Sequence, residues 1–545
     1  MDLSIALFLL EMLRSACGSA CTAENWQAAR ALLLPEKAVE VVAPENADQR
    51  AAREREELLA IDRGVPGTRI SRGSMFFQEP IGIDPKGGGQ FPVTEHSILS
   101  AEEDALPDFL AQLAQSGGRV EAGDFEGSDE PNTGISSGGT PLHSPRYRLR
   151  TYTLYPPTPF VEPFNLMVPT PMPMDPAPLL VVFHKYGSSH NDVLQNTDFV
   201  KECAKRGWFL VCPLAGSKKH FGSLESQVNT EAVLDWMLAN ATLRIDRQRI
   251  YGIGFSMGGG AALNYAARHR DPAHAMFAAL INHSGGVSIN NTYLHDPPVR
   301  FILDFWFGDG SAGSADPWNM TRSSVIDFNS ATLIVDPTTD LARNLGSTPL
   351  ATWRPSVDTI SYLPEQNDVL DHHLQTALGR VPGPTYSYNV VTFIGHLWRM
   401  IDASAACDWL GQFTLQVPAS GRTLADHDGI YERFYLEQDA AGAFTPIDWS
   451  LDAQSNALHV GATANLKRLS IDPIAAGLTN TAPLLVTTAS ADATGDEIVI
   501  THWPQFPSAL LRDGIATASW TYDPQTLELT LFESDGAAHT WLVTP

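Results

Sequence analysis

The sequence predicts an α/β fold over residues 146–415, a mainly parallel sheet with helices on both faces. An all-β domain over residues 418–545 follows it, and an extension over residues 1–145 precedes it. Three observations lead there. Strand-like apolar runs alternate with helix-like stretches through the middle of the chain, the pattern of parallel strands joined by right-handed crossovers. One run, PLLVVFH (Pro178–His184), is apolar without alternation, as suits a strand buried on both faces. Beyond Pro418 helical spacing disappears, and short alternating segments follow one another between Gly, Asp, Asn and Pro.

In chain order, the extension opens on an apolar stretch, Ser4–Leu13, which has no basic flank and contains Glu11. It reads as an amphipathic helix more readily than as an export signal, although export stays open. A charged helical stretch (Asn46–Asp62), an acidic segment (Glu102–Glu130, with Arg119 its only base) and a Gly/Ser/Pro-rich run (Pro131–Pro145) read as a solvated linker. The middle block supplies strands at Tyr147–Tyr155, Phe164–Pro169, Pro178–His184, Trp208–Pro213, Arg249–Phe255, in MFAALINHSG, at Asp358–Pro364 and at Tyr386–Gly395. Helices are expected around Asp198–Lys205, Glu231–Leu238, Met257–His269 and Leu397–Leu410. The C-terminal segments (ALHVG, LKRLSID, PLLVTTA, DEIVITHW, TASWTYD, LELTLFE, HTWLVTP) read as the strands of a sandwich.

Composition narrows the function. The chain has 545 residues and a formal net charge of −26, a field that repels phosphate backbones and anionic membranes. No nucleic-acid partner is expected, and no apolar run is long enough for a membrane span. Five cysteines (Cys17, Cys21, Cys203, Cys212, Cys407) form neither a disulfide framework nor paired metal motifs; Cys203 and Cys212 suit a bridge or two buried thiols equally. No phosphate loop, dinucleotide fingerprint or redox dithiol is present, so no cofactor and no metal are expected.

Gly254-Phe255-Ser256-Met257-Gly258 matches G-x-S-x-G. The pattern alone is weak, and the chain holds a second copy, Gly134-Ile135-Ser136-Ser137-Gly138, with no strand before it and no helix after it. At Ser256 an apolar run leads in and a small-residue helix leads out. That context lets a sharp strand-to-helix turn lift a serine hydroxyl above the carboxyl edge of a sheet. The segment Ile245–His269 resembles the elbow region of α/β-hydrolase serine esterases, most similarly the polyhydroxybutyrate-depolymerase and feruloyl-esterase-like group. The resemblance spans roughly Arg146–Gln412 and implies an α/β-hydrolase fold with a serine esterase activity.

A serine nucleophile needs a histidine base oriented by a carboxylate, in this fold in the chain order Ser, acid, His. His396, in IGHLW after a strand, is the expected base, and the G-H-x-W phrase resembles the family's histidine loop. Asp368, in PEQNDVLDHHL, is the expected acid; Asp371 is second, with Asp304 and Asp309 more distant. His372 and His373 read as surface residues rather than metal ligands. The oxyanion hole is expected from the backbone N–H groups of Met257 and of Tyr186, the latter in the loop His184-Lys185-Tyr186-Gly187, where relatives commonly have H-G-x-G. Lys185 replaces the usual first glycine.

The stretch 283–353 is longer than a minimal fold needs and reads either as a lid or as a cap packed on its own aromatics. Phe305 and Trp306 within it, and Trp398 beside His396, are the expected substrate contacts. N-glycosylation sequons start at Asn240, Asn282, Asn290 and Asn319 and matter only in an exported eukaryotic protein. In the C-terminal domain Trp449, Trp503, Trp520 and Trp541 suit a sandwich core, or a flat aromatic docking face. The expected partner is a small-molecule or polymeric ester, with polyester or aryl-ester polymers implied by the resemblance. The alternatives are a peptidase of the prolyl-oligopeptidase type and a binding protein on a hydrolase scaffold.

Overall fold

The computed structural model describes residues 120–125, 146–490, 495–533 and 535–545. The expectations for the first 119 residues, Cys17 and Cys21 included, and for residues 126–145 fall outside these.

Nine strands form the first sheet: β1 (Val120–Phe125), β2 (Arg146–Leu154), β3 (Glu162–Thr170), β4 (Ala177–Phe183), β5 (Phe209–Pro213), β6 (Ile245–Phe255), β7 (Ala279–His283), β8 (Leu350–Val357) and β9 (Tyr386–Ile394). Their spatial order is β1-β2-β3-β5-β4-β6-β7-β8-β9. The pairings along β1-β2-β3-β5 are antiparallel and the rest are parallel. This is the α/β-hydrolase fold. The first strand lies inside the segment read as linker: Val120–Phe125 pairs along its whole length with β2.

Between the strands run α1 (Asp192–Asn196), α2 (Phe199–Arg206), α3 (Leu224–Ala239), α4 (Met257–Arg268), α5 (Ile289–His295), α6 (Arg300–Phe307), α7 (Pro317–Arg322), α8 (Leu363–Thr376) and α9 (Ala403–Leu410). The two faces of the sheet carry separate cores. Along β4, Leu179, Val181 and Phe183 point into one. Leu180 and Val182 point into the other, with Tyr251, Ile253 and Phe255 of β6. Side chains alternate across a strand, so a strand covered on both faces must be apolar at every position. Cys203, Cys212 and Cys407 are all buried free thiols; no Cys203–Cys212 bridge forms.

One strand differs from expectation. Asp358–Pro364 is not a strand: β8 ends at Val357, and the segment DTISYLP turns into the first residues of α8. Pro355 within β8 hides the strand from a propensity reading, because proline interrupts a β pattern.

Strands from Ser420 to Thr544 build a seven-stranded and a six-stranded sheet. The core between them contains Trp449, Trp503 and Trp541, while Trp520 only packs against its margin. Three of the four tryptophans are therefore core residues. The C-terminal strands and the elements around the first sheet share buried polar contacts: Arg270 Nη2 meets Glu432 Oε1 at 2.5 Å, and the Asn344 amide donates to Ala267 O (2.8 Å) and Leu424 O (2.9 Å). No helix among the described residues is long and apolar enough to cross a membrane.

Candidate active site

Ser256 sits between β6 and α4 with φ 58° and ψ −124°. A non-glycine residue is rarely held at positive φ, and such strain costs about 1–3 kcal/mol unless the surroundings enforce it. Here they do. Ser256 N–H donates to His283 O at 2.9 Å, and Ser256 O accepts from Gly259, Gly260 and Gly286. The turn is tight enough to exclude side chains: a Cβ on Gly254 would lie 2.0 Å from Gly258 O, and one on Gly258 2.4 Å from Phe183 O. A helix starts at Met257, directly after Ser256, and the N-terminal end of a helix favours negative charge.

His396 follows β9 through Gly395, whose φ is 132°. Gly395 N–H donates to Val357 O at 2.9 Å, at the end of β8. This contact brings the first residue after β8 level with the histidine. That residue is Asp358, and its Oδ2 accepts from His396 Nδ1 at 2.9 Å, with both side chains buried. Asp358 Oδ1 accepts from Ile360 N–H at 2.8 Å, which fixes the carboxylate. With its Nδ1 proton committed to Asp358, the imidazole keeps Nε2 as its basic nitrogen. The ring of His396 stacks on Phe255, the residue before Ser256, at 4.4 Å between centroids.

The carboxylate at His396 is therefore not Asp368. Asp368 lies on α8, half-exposed, and takes Arg354 Nη2 at 2.7 Å and the Tyr388 hydroxyl. The other candidates are also engaged elsewhere. Asp371 accepts from Gln375 and Tyr386. Asp304 closes the Gly308–Ala315 loop by accepting from Gly313 N–H and Ala315 N–H at 3.0 Å each. Asp309 caps Ser311. His373 pairs with Asp340 at 2.7 Å.

Tyr186 and Met257 meet in one apolar cluster with Phe221, Ile289, Val299, Leu303, Phe307 and Met320. Lys185 is accommodated in a turn closed by Ser188 N–H to Lys185 O (3.1 Å), with Gly187 N–H bound to Lys218 O (2.8 Å). The first part of the 283–353 insertion thus packs directly against the two expected oxyanion residues. Its later part, including Val325, Ile326 and Leu345, joins the main core. Trp306 packs on Phe160 at 4.8 Å and Phe305 on Trp306 at 5.1 Å. Both rings are half-buried on the margin of the insertion.

Trp398 belongs to the core, not to a substrate surface. It is 3% exposed, and its indole N–H donates to Asp192 Oδ2 at 2.7 Å. Asp192, itself buried, also accepts from Ser188 Oγ (3.0 Å) and Asn196 Nδ2 (2.8 Å), and Lys185 N–H points at it from 3.4 Å. One carboxylate therefore ties the Lys185–Gly187 turn to the histidine loop. Sequence reasoning did not find Asp192; the aspartate at the start of a short helix after the glycine turn is the only trace it leaves there.

Two further buried titratable groups lie on strands of the same sheet. His283, at the end of β7, stacks on Phe255 at 4.5 Å. Burial, and then the nearby His396, push its pKa down to about 3, so it is a neutral ring. Glu162 accepts from Ala215 N–H (2.8 Å), Gly216 N–H (2.6 Å) and Asn229 Nδ2 (3.1 Å), holding the loop after β5. Burial raises its pKa to about 7 against the pull of those donors.

No protein-family model matches the sequence, and no curated protein matches it significantly. Solved structures that match part of the chain include an S-formylglutathione hydrolase from Agrobacterium tumefaciens, 14% identical, covering 52% of this chain and 98% of its own, with a TM-score of 0.37. A ferulic acid esterase is 19% identical and covers 48% of this chain and 95% of its own, with a TM-score of 0.34. An acylaminoacyl peptidase from Pyrococcus horikoshii is 16% identical and covers 49% of this chain and 40% of its own, also with a TM-score of 0.34.

Proposed function

We propose that the protein is a serine hydrolase that cleaves carboxylic esters, with Ser256 as nucleophile, His396 as base and Asp358 as the carboxylate that orients it. The observation that carries the reading is the conjunction of a strained Ser256 at a strand-to-helix turn with a His396–Asp358 pair stacked on the residue before it. A buried carboxylate on Nδ1 holds the histidine in the tautomer and orientation in which Nε2 can take a proton, and stabilises the imidazolium that forms.

In the acylation step Ser256 Oγ bonds to the ester carbonyl carbon as its proton passes to His396 Nε2. The carbonyl oxygen becomes an oxyanion held by the Met257 and Tyr186 N–H groups, each such donor being worth about 2.7–4 kcal/mol in enzymes of this kind. The ester C–O bond then breaks, and the alcohol leaves with the proton from His396. Water, deprotonated by the same imidazole, releases the acid and restores Ser256. The apolar cluster around Tyr186 and Met257 favours an apolar acyl or aryl group over a charged one, and aryl-ester or polyester substrates are the finer form of this reading.

Active-site labelling with a fluorophosphonate probe tests the proposal: the wild type takes up one label per chain and Ser256→Ala takes up none. Short p-nitrophenyl esters compared with peptide p-nitroanilides then separate esterase from peptidase. Labelling retained by Ser256→Ala refutes the nucleophile, and anilide turnover equal to or above ester turnover refutes the substrate class.

A further inference from the structure

The C-terminal β domain meets α7 of the insertion through a buried carboxylate. Asp426 is buried, 2% exposed. Its Oδ2 accepts from Arg268 Nε (3.0 Å) and Nη2 (2.7 Å), at the far end of the helix that begins beside Ser256. The same oxygen accepts from Arg322 Nε at 2.8 Å, the last residue of α7 in the insertion. Oδ1 lies against His427 Nδ1 (2.9 Å) and the Tyr431 hydroxyl (3.4 Å) of its own domain. A second contact runs in parallel: Phe444 of the β domain packs on Trp318 of α7 at 4.7 Å, and Arg322 stacks over the same indole at 5.4 Å. From inside the protein, Asn264 of α4 donates to Arg322 O at 3.3 Å. The opposite side of α7 carries Met320, which lies in the cluster with Tyr186, Met257, Leu303 and Phe307.

Two guanidinium groups on one buried carboxylate are a costly device for stability alone, since apolar packing of the same volume often does as well. What such a group can supply is a specified geometry, here through contacts that link α7 to α4. Burial by itself would raise the Asp426 carboxyl, but Arg268, His427 and Arg322 outweigh it and hold the group well below the usual carboxylate range, so the clamp stays charged.

We propose that the C-terminal domain is a brace for the substrate site: Asp426 is a positioning residue that fixes α7, and through Met320 fixes the apolar wall beside Tyr186 and Met257, so that the domain selects esters by the bulk of their acyl or aryl group. This rests on the serine-hydrolase reading above. The β domain in this role contributes no substrate-binding face; it acts on the reaction from behind the insertion.

The test uses the full chain with Asp426→Asn and Phe444→Ala, read on p-nitrophenyl acetate, p-nitrophenyl octanoate and a feruloyl ester. The expected result is acetate turnover within about twofold of wild type and a KM for the two bulky esters raised by about tenfold, since displacements near 1 Å carry penalties up to about a hundredfold. Hydrogen exchange of the α7 amides (Trp318–Arg322) is expected to speed up in both variants while the α4 amides keep their protection. An unchanged ratio of bulky-ester to acetate KM overturns the proposal, and so does an equal loss on all three substrates. If Asp426→Asn fails to fold, Phe444→Ala, which leaves the buried charges paired, carries the same readouts. Failure of the underlying reading looks different: the wild type itself then takes no fluorophosphonate label, while the exchange at α7 still reports whether the brace exists.

Discussion

Exchanging one carboxylate oxygen for an amide at two positions ten residues apart gives opposite outcomes if Asp358 orients His396. Asp358→Asn keeps the size and burial of the side chain but removes the fixed acceptor that holds the His396 proton on Nδ1, now 2.9 Å away. An amide in its place can present N–H₂ to the ring, which drives the proton to Nε2 and leaves the serine without a base. In a buried pair of this geometry the expected loss in kcat is about 10³–10⁴, equal to about 4–5.5 kcal/mol of transition-state stabilisation. Asp368→Asn removes half of a partly solvated pair with Arg354 in which the carboxylate side chain is 49% exposed. Such pairs contribute at most about 1 kcal/mol, so its kcat stays within about twofold and its melting temperature falls by a few degrees at most. Steady-state hydrolysis of p-nitrophenyl acetate at pH 8, with thermal melts alongside, measures both. A collapse of kcat in Asp368→Asn, or more than a tenth of wild-type kcat surviving in Asp358→Asn, refutes the placement of the acid.

Two other outcomes follow from buried groups around the site. Trp398→Phe removes the indole N–H from Asp192 Oδ2, leaving a buried carboxylate short of a donor, so chemical denaturation should show a loss of about 1–3 kcal/mol and kcat should fall as the Lys185–Gly187 turn loosens; unchanged stability argues that water replaces the indole. Glu162 has its folded-state pKa raised from 4.5 to about 7, so the folded chain holds more protons than the unfolded one between those values. Stability from this group is then fully present below about pH 4.5 and lost as pH rises through about 7, by up to about 3 kcal/mol. In Glu162→Gln that decline between pH 5 and 8 should flatten in urea titrations, and a decline as steep as in the wild type assigns it to other groups.

The turn at Ser256 and the loop at His396 were legible because their signals are local. Gly254, Gly258 and Ser256 stand within five residues, and a turn that tight can be read from its glycines, which the close backbone approaches require. His396 likewise announces itself by a strand, a glycine and a helix in sequence. The carboxylate that pairs with His396 was misplaced because its position depends on where β8 ends. Pro355 broke the apolar pattern, the strand was assigned to the next segment, and the carboxylate expected one loop beyond it shifted from Asp358 to Asp368. Trp398 was assigned to the substrate because it lies beside His396, yet a tryptophan there can equally serve as that loop's anchor, and only the partner of its N–H distinguishes the two.

What the sequence determined by itself is therefore what short-range geometry determines: the strand-to-helix turn at Ser256, the buried strands that carry it, and the change to an all-β domain near residue 418. What the tertiary structure decided are the pairings between distant segments: Asp358 with His396, Asp192 with Trp398, Asp426 with Arg268 and Arg322. A carboxylate finds its partner through strand register and domain docking, which bring together residues 38, 206 and more than 100 positions apart, and no periodicity in the sequence records which of many aspartates ends up buried beside a given donor.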